Sequence, residues 1–296
     1  TIPNFIFQKS PLRSQLFMAP RCFGEKSAYY LKYTTKIRQF QRQSPHKSGA
    51  SLILSRTGII MQRKGIIDFM DNELLQIQNR TCRVYGTIGA EYLLLQMANE
   101  HDLAGMQREA EALRRQTARP FLLIAVPVEN WNDDLSPWSA PPAWGKQGFG
   151  GRAGDTLAWL EQAVPDIRRQ DSVKENAKVI LGGYSLAGLF ALWAATQTDA
   201  LFGVAAASSS VWFPGWAEYE AAHPIQAKRV YLSLGDREEQ TKNQTMAAVG
   251  DNIRALHSAL TRRGTDCTLE WNAGGHFKDA DLRTARAFAW TMESEK

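Results

Sequence analysis

A serine lies in a glycine-flanked turn whose neighbours could make it a nucleophile. Residues 183–188 read Gly-Tyr-Ser-Leu-Ala-Gly, after the apolar run Ala177–Leu181 and before an apolar stretch that is typical of a buried helix. A strand, a tight turn around a serine and a helix form the context of a nucleophile elbow. A side chain on Gly183, or a large one at Ala187, would collide with the neighbouring strand or helix. The pattern predicts that Ser185 is a nucleophile, with Ala187 standing where glycine is usual.

A histidine and a group of acids follow later strands of the chain. His276 comes after a glycine pair and the predicted strand Thr268–Trp271. The predicted strand Arg229–Leu234 is followed by three acids: Asp236, Glu238 and Glu239. Functional residues of an open α/β sheet gather at the carboxyl ends of its strands, and serine, acid, histidine is a chain order that some catalytic triads use. We expect His276 to act with Ser185, and the acid stays open among the three.

These residue types together can perform acyl transfer. A serine hydroxyl is a weak nucleophile at neutral pH, so an imidazole must take its proton while a carboxylate orients the imidazole. The oxyanion that forms needs preorganised hydrogen-bond donors. We expect one donor to be the backbone N–H of Leu186 and the other to come from the loop near Ala98 and Asn99. Asn99 could instead be an ordinary turn residue.

Tryptophans mark two loops that follow predicted strands. Trp138 ends the segment 130–138, and Trp212 lies within the serine-rich segment 208–216. Their side chains could form an apolar wall for an acyl or aryl group of a substrate, or they could cap the core. The glycine-rich segment 148–154 lacks a dinucleotide or P-loop pattern, so we expect no nucleotide site there.

The elements that position these residues alternate between strand and helix from Met70 onward. We predict strands at Thr81–Tyr85, Glu91–Met97, Phe121–Val128, Ala177–Leu181, Val204–Ala207, Arg229–Leu234 and Thr268–Trp271, and helices at Gly105–Arg115, Gly154–Ile167, Leu186–Thr198, Met246–Arg263 and Asp281–Thr291. This alternation predicts an α/β fold with a mostly parallel sheet and helices on both faces.

Composition and charge narrow the class of protein. The 296 residues are 44% hydrophobic and 22% charged, as in ordinary globular proteins, and no apolar run approaches the roughly 20 residues that span a bilayer. Residues 1–69 hold 12 Lys/Arg and 2 Asp/Glu, whereas the rest of the chain is mildly acidic. The overall charge of +5 therefore does not argue for a nucleic-acid partner. Three scattered cysteines (Cys22, Cys82 and Cys267) show no metal-ligand spacing and suit a reducing, cytoplasmic compartment.

Residues 1–69 also lack sustained hydrophobic periodicity. Three interpretations remain: a transit-type presequence, a basic arm for an anionic partner, or translated upstream sequence before a true start at Met70. We favour the third, because charge and pattern change abruptly at a methionine. We therefore predict a basic segment over 1–69, disordered or non-native, and a single α/β domain over 70–296.

Residues from about 80 to 292 resemble the esterase D-type branch of the α/β-hydrolases, and most closely its siderophore esterases for ferric enterobactin and salmochelin. The resemblance is carried by residues 134–137, 183–188, 208–212, 235–238 and 274–276. It implies an α/β-hydrolase fold and serine-dependent hydrolysis of carboxylic esters with no metal or organic cofactor. It also favours Glu238 as the acid, since the family commonly places it three residues after the glycine that ends its strand. Some salmochelin-type relatives work with serine and histidine alone.

The combined interpretation is a serine esterase that forms an acyl-serine intermediate at Ser185. The expected substrates are catecholate siderophore trilactones or similar aryl-acyl esters, bound against Trp138 and Trp212. An acyltransferase or thioesterase on the same machinery, and an inactive hydrolase-fold binding protein, remain alternatives. We expect no nucleic-acid or membrane partner, and the sequence leaves the oligomeric state open. The chain departs from the family in Ala187, in showing no evident periplasmic signal, and in a body that is short for the extra domain of the cytoplasmic enterobactin esterases.

Overall fold

The computed structural model describes residues 50–55, 58–63, 69–143, 145–169 and 173–293. Contacts group residues 51–296 into one compact unit. Two short strands, β1 (Ala50–Ser55) and β2 (Gly58–Arg63), pair as a separate two-stranded sheet, in a stretch whose irregular hydrophobic pattern predicted no fold. Most of the predicted basic segment lies outside the described residues, so the boundary at Met70 stays a prediction.

An eight-stranded sheet forms the centre of this unit. The strands that follow in the chain are β3 (Phe69–Ile77), β4 (Arg80–Thr87), β5 (Ala90–Ala98), β6 (Phe121–Pro127), β7 (Ser139–Ala140), β8 (Phe149–Gly150), β9 (Val173–Tyr184), β10 (Gly203–Ala207), β11 (Arg229–Gly235) and β12 (Asp266–Asn272). The sheet has the spatial order β12-β11-β10-β9-β5-β6-β4-β3, while β7 and β8 form a small antiparallel ribbon. Strand β4 runs antiparallel to β3 and β6, and the other neighbouring pairs are parallel.

Helices cover both faces of the sheet. They are α1 (Glu100–Gln116), α2 (Trp131–Asp134), α3 (Ala153–Arg168), α4 (Leu186–Gln197), α5 (Trp216–Ala222), α6 (Gln244–Ala247), α7 (Val249–Arg262) and α8 (Ala280–Met292). Side chains of α1 and α8 belong to one buried cluster, and those of α3, α4 and α7 to another. Successive residues of β5 alternate between the clusters, with Leu93 in one and Leu94 in the other. The predicted α/β fold, with a mostly parallel sheet and helices on both faces, is confirmed.

Some elements differ from the prediction. The helix predicted over Met246–Arg263 is two helices, α6 and α7, which meet at Ala248. Strand β3 was not predicted: it lies at the edge of the sheet, and its exposed residues include four polar ones, Asp71, Asn72, Glu73 and Gln76. The short helix α5 was not predicted either, because seven residues carry too little periodicity to be recognised.

Helix α4 holds the turn that contains Ser185 in place. It begins directly after Ser185, and its residues from Leu186 to Thr196 are all buried. The helix contains no charged residue, so it can be buried on all sides. Because this buried helix packs against β9 and β10, the turn before it has little freedom to move.

Candidate active site

The turn between β9 and α4 holds Ser185 in a strained backbone conformation. Its φ is 57° and its ψ −120°, a combination that few residues with side chains adopt. Gly183 has a φ of 157°, and a Cβ on it would lie 2.6 Å from the Cβ of Ala187, which is fully buried. The turn therefore requires glycine at 183 and a small residue at 187, and alanine fits at the second position.

Four adjacent strands bring polar side chains to one edge of the sheet. Strands β9, β10, β11 and β12 are parallel neighbours, so their carboxyl ends lie side by side. Ser185 follows β9, Ser208–Ser210 follows β10, Glu238 follows β11 and His276 follows β12. This order explains how residues 91 positions apart in the chain come into contact.

Ser185, His276 and Glu238 form a continuous chain of hydrogen bonds. Oγ of Ser185 lies 3.0 Å from Nε2 of His276, and Nδ1 of His276 lies 2.7 Å from Oε2 of Glu238. A carboxylate only accepts hydrogen bonds, so Nδ1 carries the imidazole proton and Nε2 is left with a lone pair that faces Ser185. The histidine side chain is 29% exposed and the glutamate side chain 5%. This tautomer is the one that can take the serine proton.

The other oxygen of Glu238 is held by three donors. Oε1 accepts from the N–H of Gly235 at 2.7 Å, the hydroxyl of Ser208 at 2.8 Å and Nη1 of Arg283 at 3.1 Å. A Cβ on Gly235 would lie 2.8 Å from this oxygen, so glycine leaves room for the carboxylate against the strand end. With Oε1 engaged in this way, Oε2 is directed at the imidazole.

The remaining two acids of the cluster have other partners. Oδ1 of Asp236 accepts the N–H of Gly274 at 2.7 Å, which joins the loops after β11 and β12. The carboxylate of Glu239 pairs with the guanidinium of Arg254 through two contacts of 2.9 Å. Of the three acids, Glu238 is the one that the structure brings to His276.

Ser210 is a neighbour of Ser185 that the sequence analysis did not single out. Its Oγ lies 3.3 Å from Oγ of Ser185, and its N–H donates to the carbonyl of Ser185 at 3.1 Å. Since the hydroxyl proton of Ser185 points to His276, the hydroxyl of Ser210 donates to Oγ of Ser185. A run of three serines after a strand was the available signal, but serines are common in loops.

The expected oxyanion donors differ in their geometry. Leu186 is the first residue of α4, and the first N–H groups of a helix have no intrahelical acceptor. Asn99 caps α1: its Oδ1 accepts from the N–H of Asp102 at 2.9 Å, and its own N–H donates to the Asp102 carboxylate at 3.2 Å. Its backbone donor is thus engaged, which favours the alternative of a turn residue. Ala98 is fully buried at the end of β5, and its role as a donor stays a prediction.

Trp138 and Trp212 belong to an aromatic cluster beneath the loops. Nε1 of Trp138 donates to the carbonyl of Pro214 at 2.9 Å, and its ring centroid lies 4.9 Å from that of Tyr219. Trp212 is 7% exposed and meets Phe149 edge to face, with ring centroids 6.2 Å apart. Both side chains cap the core, and contact of either with a substrate stays a prediction.

Phe277 presents an exposed aromatic ring beside the imidazole. Its side chain is 96% exposed, and its ring centroid lies 5.3 Å from that of His276 in an edge-to-face arrangement. Because burying an exposed phenylalanine is favourable, this ring offers an apolar contact for a bound molecule. Its position next to the histidine was the only signal of this role in the sequence.

Other histidines of the described chain have different surroundings. His101 is exposed in the first turn of α1, and His257 lies on α7. Nδ1 of His223 lies 2.9 Å from the carbonyl of Tyr219, at the end of α5. His46 lies outside the described residues. His276 is the described histidine whose ring contacts Ser185.

Three further properties concern the described part of the chain. No group of three or more His, Cys, Asp or Glu side chains within it is arranged to hold a metal ion. None of its helices combines the length and the apolar character that a membrane span requires. Cys82 and Cys267 are free thiols, and burial raises the pKa of Cys82 to about 12.

The chain matches the model of one known protein family. Residues 92–278 match the family model named "Esterase: Putative esterase". The matched range exceeds half of the chain and includes Ser185, Glu238 and His276. No curated protein is similar enough to this chain to count as a match.

Solved structures share the fold at low sequence identity. The siderophore hydrolase EstA from Aspergillus nidulans has a TM-score of 0.56 at 19% identity, covering 75% of this chain and 94% of its own. An IroE-like serine hydrolase from Shewanella oneidensis has a TM-score of 0.59 at 16% identity, covering 75% and 79%. The enterobactin esterase FES from Shigella flexneri has a TM-score of 0.52 at 15% identity, covering 94% and 76%. These likenesses confirm the α/β-hydrolase fold, and the family match shows that the chain belongs to this esterase family.

Proposed function

We propose that this esterase uses Ser185 as its nucleophile, His276 as general base and then general acid, and Glu238 to orient the imidazole. The hydrogen-bonded chain through these three side chains carries the proposal. As Oγ bonds to the ester carbonyl carbon, the hydroxyl proton passes to Nε2, and the N–H of Leu186 stabilises the oxyanion. The imidazolium then protonates the departing alcohol and leaves an acyl-serine. Water repeats the sequence and releases the acid.

We propose catecholate siderophore trilactones or similar aryl-acyl esters as the substrate class. Two structural neighbours are described as a siderophore hydrolase and an enterobactin esterase, which supports this class. The exposed ring of Phe277 beside His276 suits a planar aryl group. Trp138 and Trp212 are the further aromatic side chains that we propose on the acyl side.

The test compares wild type with Ser185→Ala on two esters, a short p-nitrophenyl ester and a catecholate trilactone. We expect the wild type to hydrolyse at least one of them and Ser185→Ala to lose that activity. Ser139→Ala, an exposed serine of β7, is the matched control and keeps wild-type rates. Products formed with and without an added acceptor alcohol separate a hydrolase from an acyltransferase.

Each outcome has a defined meaning. Cleavage of the short ester alone overturns the siderophore class and keeps the serine mechanism. Equal activity of Ser185→Ala and wild type contradicts the mechanism. A folded wild type that cleaves neither ester contradicts the proposal as a whole and favours the inactive binding protein.

We also propose a cytoplasmic location. Cys82 and Cys267 are free thiols in the structure, which suits a reducing compartment. Fractionation of cells that express the full chain tests this location, and recovery outside the cytoplasm contradicts it.

A further inference from the structure

A single buried arginine contacts both of the loops that carry the acid and the histidine. Arg283 lies in the first turn of α8, with 3% of its side chain exposed. Its Nη1 donates to Oε1 of Glu238 at 3.1 Å, and its Nη2 donates to the carbonyls of Ala273 and Gly275 at 3.3 and 3.2 Å. These carbonyls lie just before His276 in the loop after β12. One guanidinium therefore bridges the acid and the histidine loop.

The same arginine also reaches two other strand ends. Nη1 of Arg283 lies 3.2 Å from Oγ of Ser208, after β10, and 3.1 Å from the hydroxyl oxygen of Tyr184, at the end of β9. Ser208 in turn donates to Oε1 of Glu238. A guanidinium presents its N–H groups in a rigid planar fork, so it can hold several acceptors in fixed relative positions. Glu238 balances the buried charge.

Tyr184 extends this network to the backbone of His276. Its hydroxyl donates to the carbonyl of His276 at 2.6 Å, and its ring centroid lies 5.2 Å from the imidazole centroid. Burial raises the pKa of Tyr184, so the phenol keeps its proton and remains a donor. The contact from Arg283 to the tyrosine oxygen is thus a second connection to the histidine loop.

We propose that Arg283 is a positioning residue, which holds Glu238 and the His276 loop so that Oε2 faces Nδ1 and Nε2 faces Ser185. This inference rests on the proposed function. The arginine is buried, and its Nη1 and Nη2 groups donate to protein acceptors, so it acts through Glu238 and His276 and not on the substrate. A merely structural arginine would change stability but leave the kcat of the folded molecules unchanged.

The test is a double-mutant cycle on kcat with Arg283→Lys, Glu238→Gln and the double variant. Lysine keeps the charge but loses the planar fork. We expect Arg283→Lys to lower kcat by about 100-fold, because a small misplacement of catalytic groups has a large effect on rate. KM should stay within about two-fold, since ground-state binding is untouched. The double variant should be about as slow as the slower single variant, because Arg283 acts through Glu238. If the two residues acted independently, their effects on kcat would multiply.

Two further variants complete the design. Arg286→Lys is the matched control: it lies on the same helix, pairs with Glu270 and is 47% exposed, and it should keep wild-type kcat. Tyr184→Phe removes only the tyrosine link and should lower kcat by about ten-fold. If Arg283→Lys does not fold, Tyr184→Phe decides the proposal. An unchanged kcat in Tyr184→Phe then overturns the positioning role of Arg283. Melting temperatures show which variants are folded in the assay.

Proton NMR of the His276 Nδ1–H gives a readout without turnover. The wild type should show a downfield, hydrogen-bonded resonance, which Arg283→Lys loses and Arg286→Lys retains. A folded Arg283→Lys that keeps kcat within about two-fold of wild type, or losses that multiply in the double variant, overturns the proposal. If the wild type hydrolyses no ester, the proposed function fails and NMR alone decides the role of Arg283. Retention of the resonance in Arg283→Lys then overturns that role, and its loss supports it.

Discussion

Glu238 and His276 share a contact of 2.7 Å between Oε2 and Nδ1, while Oε1 of the same carboxylate is held by three other donors. Glu238→Gln keeps the shape of the side chain but removes the charge that stabilises the imidazolium. We expect kcat to fall by about 100- to 10,000-fold, as when the orienting acid of a triad is replaced by its amide. Steady-state hydrolysis of a p-nitrophenyl ester measures the change.

Glu239→Gln is the matched control for this acid. The Glu239 carboxylate pairs with Arg254 in a partly exposed salt bridge. Its loss should change the free energy of unfolding by less than about 1 kcal/mol, with kcat unchanged. If Glu239→Gln or Asp236→Asn lowers kcat more than Glu238→Gln does, the choice of acid is wrong.

His276→Ala removes the group that takes the serine proton. We expect kcat to fall by about 1,000-fold or more, because Ser185 then loses the imidazole that contacts its hydroxyl. His257→Ala on α7 is the control and should keep the wild-type rate, since its ring is not part of the hydrogen-bonded chain. The same ester assay compares the two variants. Comparable losses in both would show that the assay reports stability and not chemistry.

Gly183 and Ala187 define the space within the elbow. Gly183→Ala places a Cβ 2.6 Å from the Cβ of Ala187 and puts a side chain at a φ of 157°. We expect a loss of about 1–3 kcal/mol in the free energy of unfolding, measured with urea. Ala187→Gly removes one of the two clashing atoms, so the double variant should lose less than the sum of the single variants. Strictly additive losses would contradict the clash.

Glu109 gives the fold a pH dependence of a defined sign. Glu109 lies on α1, and its Oε2 accepts a hydrogen bond from Nε2 of Gln96 on β5. The Oε1 atom of Glu109 and the Oε1 atom of Gln96 are buried and have no hydrogen-bond partner among the described residues. Burial holds the pKa of Glu109 well above its usual 4.5, against the hydrogen bond from Gln96, which lowers it; the carboxylates of Asp102 and Asp281 raise it further. The folded chain therefore keeps this proton. The unfolded chain loses it near 4.5. The free energy of unfolding therefore falls as pH rises from that value towards the folded-state pKa.

Glu109→Gln removes this ionisation and supplies an amide that can donate to Gln96. We expect the variant to be about 1–3 kcal/mol more stable than wild type near pH 8 and close to wild type near pH 4. Urea unfolding at both pH values measures the difference. Glu111→Gln, exposed on the same helix, should show no such pH dependence. An equal difference at both pH values would contradict the buried, protonated state.

Local sequence patterns were sufficient for most of the sheet and its helices. Phe121–Val128 is apolar throughout, and the strand β6 that forms there is buried over six of its seven residues. Strand β3 was missed because Asp71, Asn72 and Glu73 mask any alternation. It exists through its pairing with β4, and such pairing is a long-range property that no local pattern records.

The candidate site was predictable to the extent that it follows from strand ends and chain order. Ser185 and His276 follow from the turn, the glycine pair and the order of the strands. The choice among three neighbouring acids depends on contacts that sequence does not display, above all that of Glu238 with Arg283, which lies 45 residues further along. Asn99 shows the converse, because a polar residue at a strand end also serves as a helix cap.

The most direct test of the central claim is the site of covalent reaction. A reactive alkyl phosphonate, added to the full chain and followed by intact-protein and peptide mass spectrometry, reports which hydroxyl is activated. We predict one phosphonyl group per chain, located on Ser185, formed much more slowly in His276→Ala and absent in Ser185→Ala. Labelling at another residue, or equal labelling of Ser185→Ala and wild type, would contradict the account.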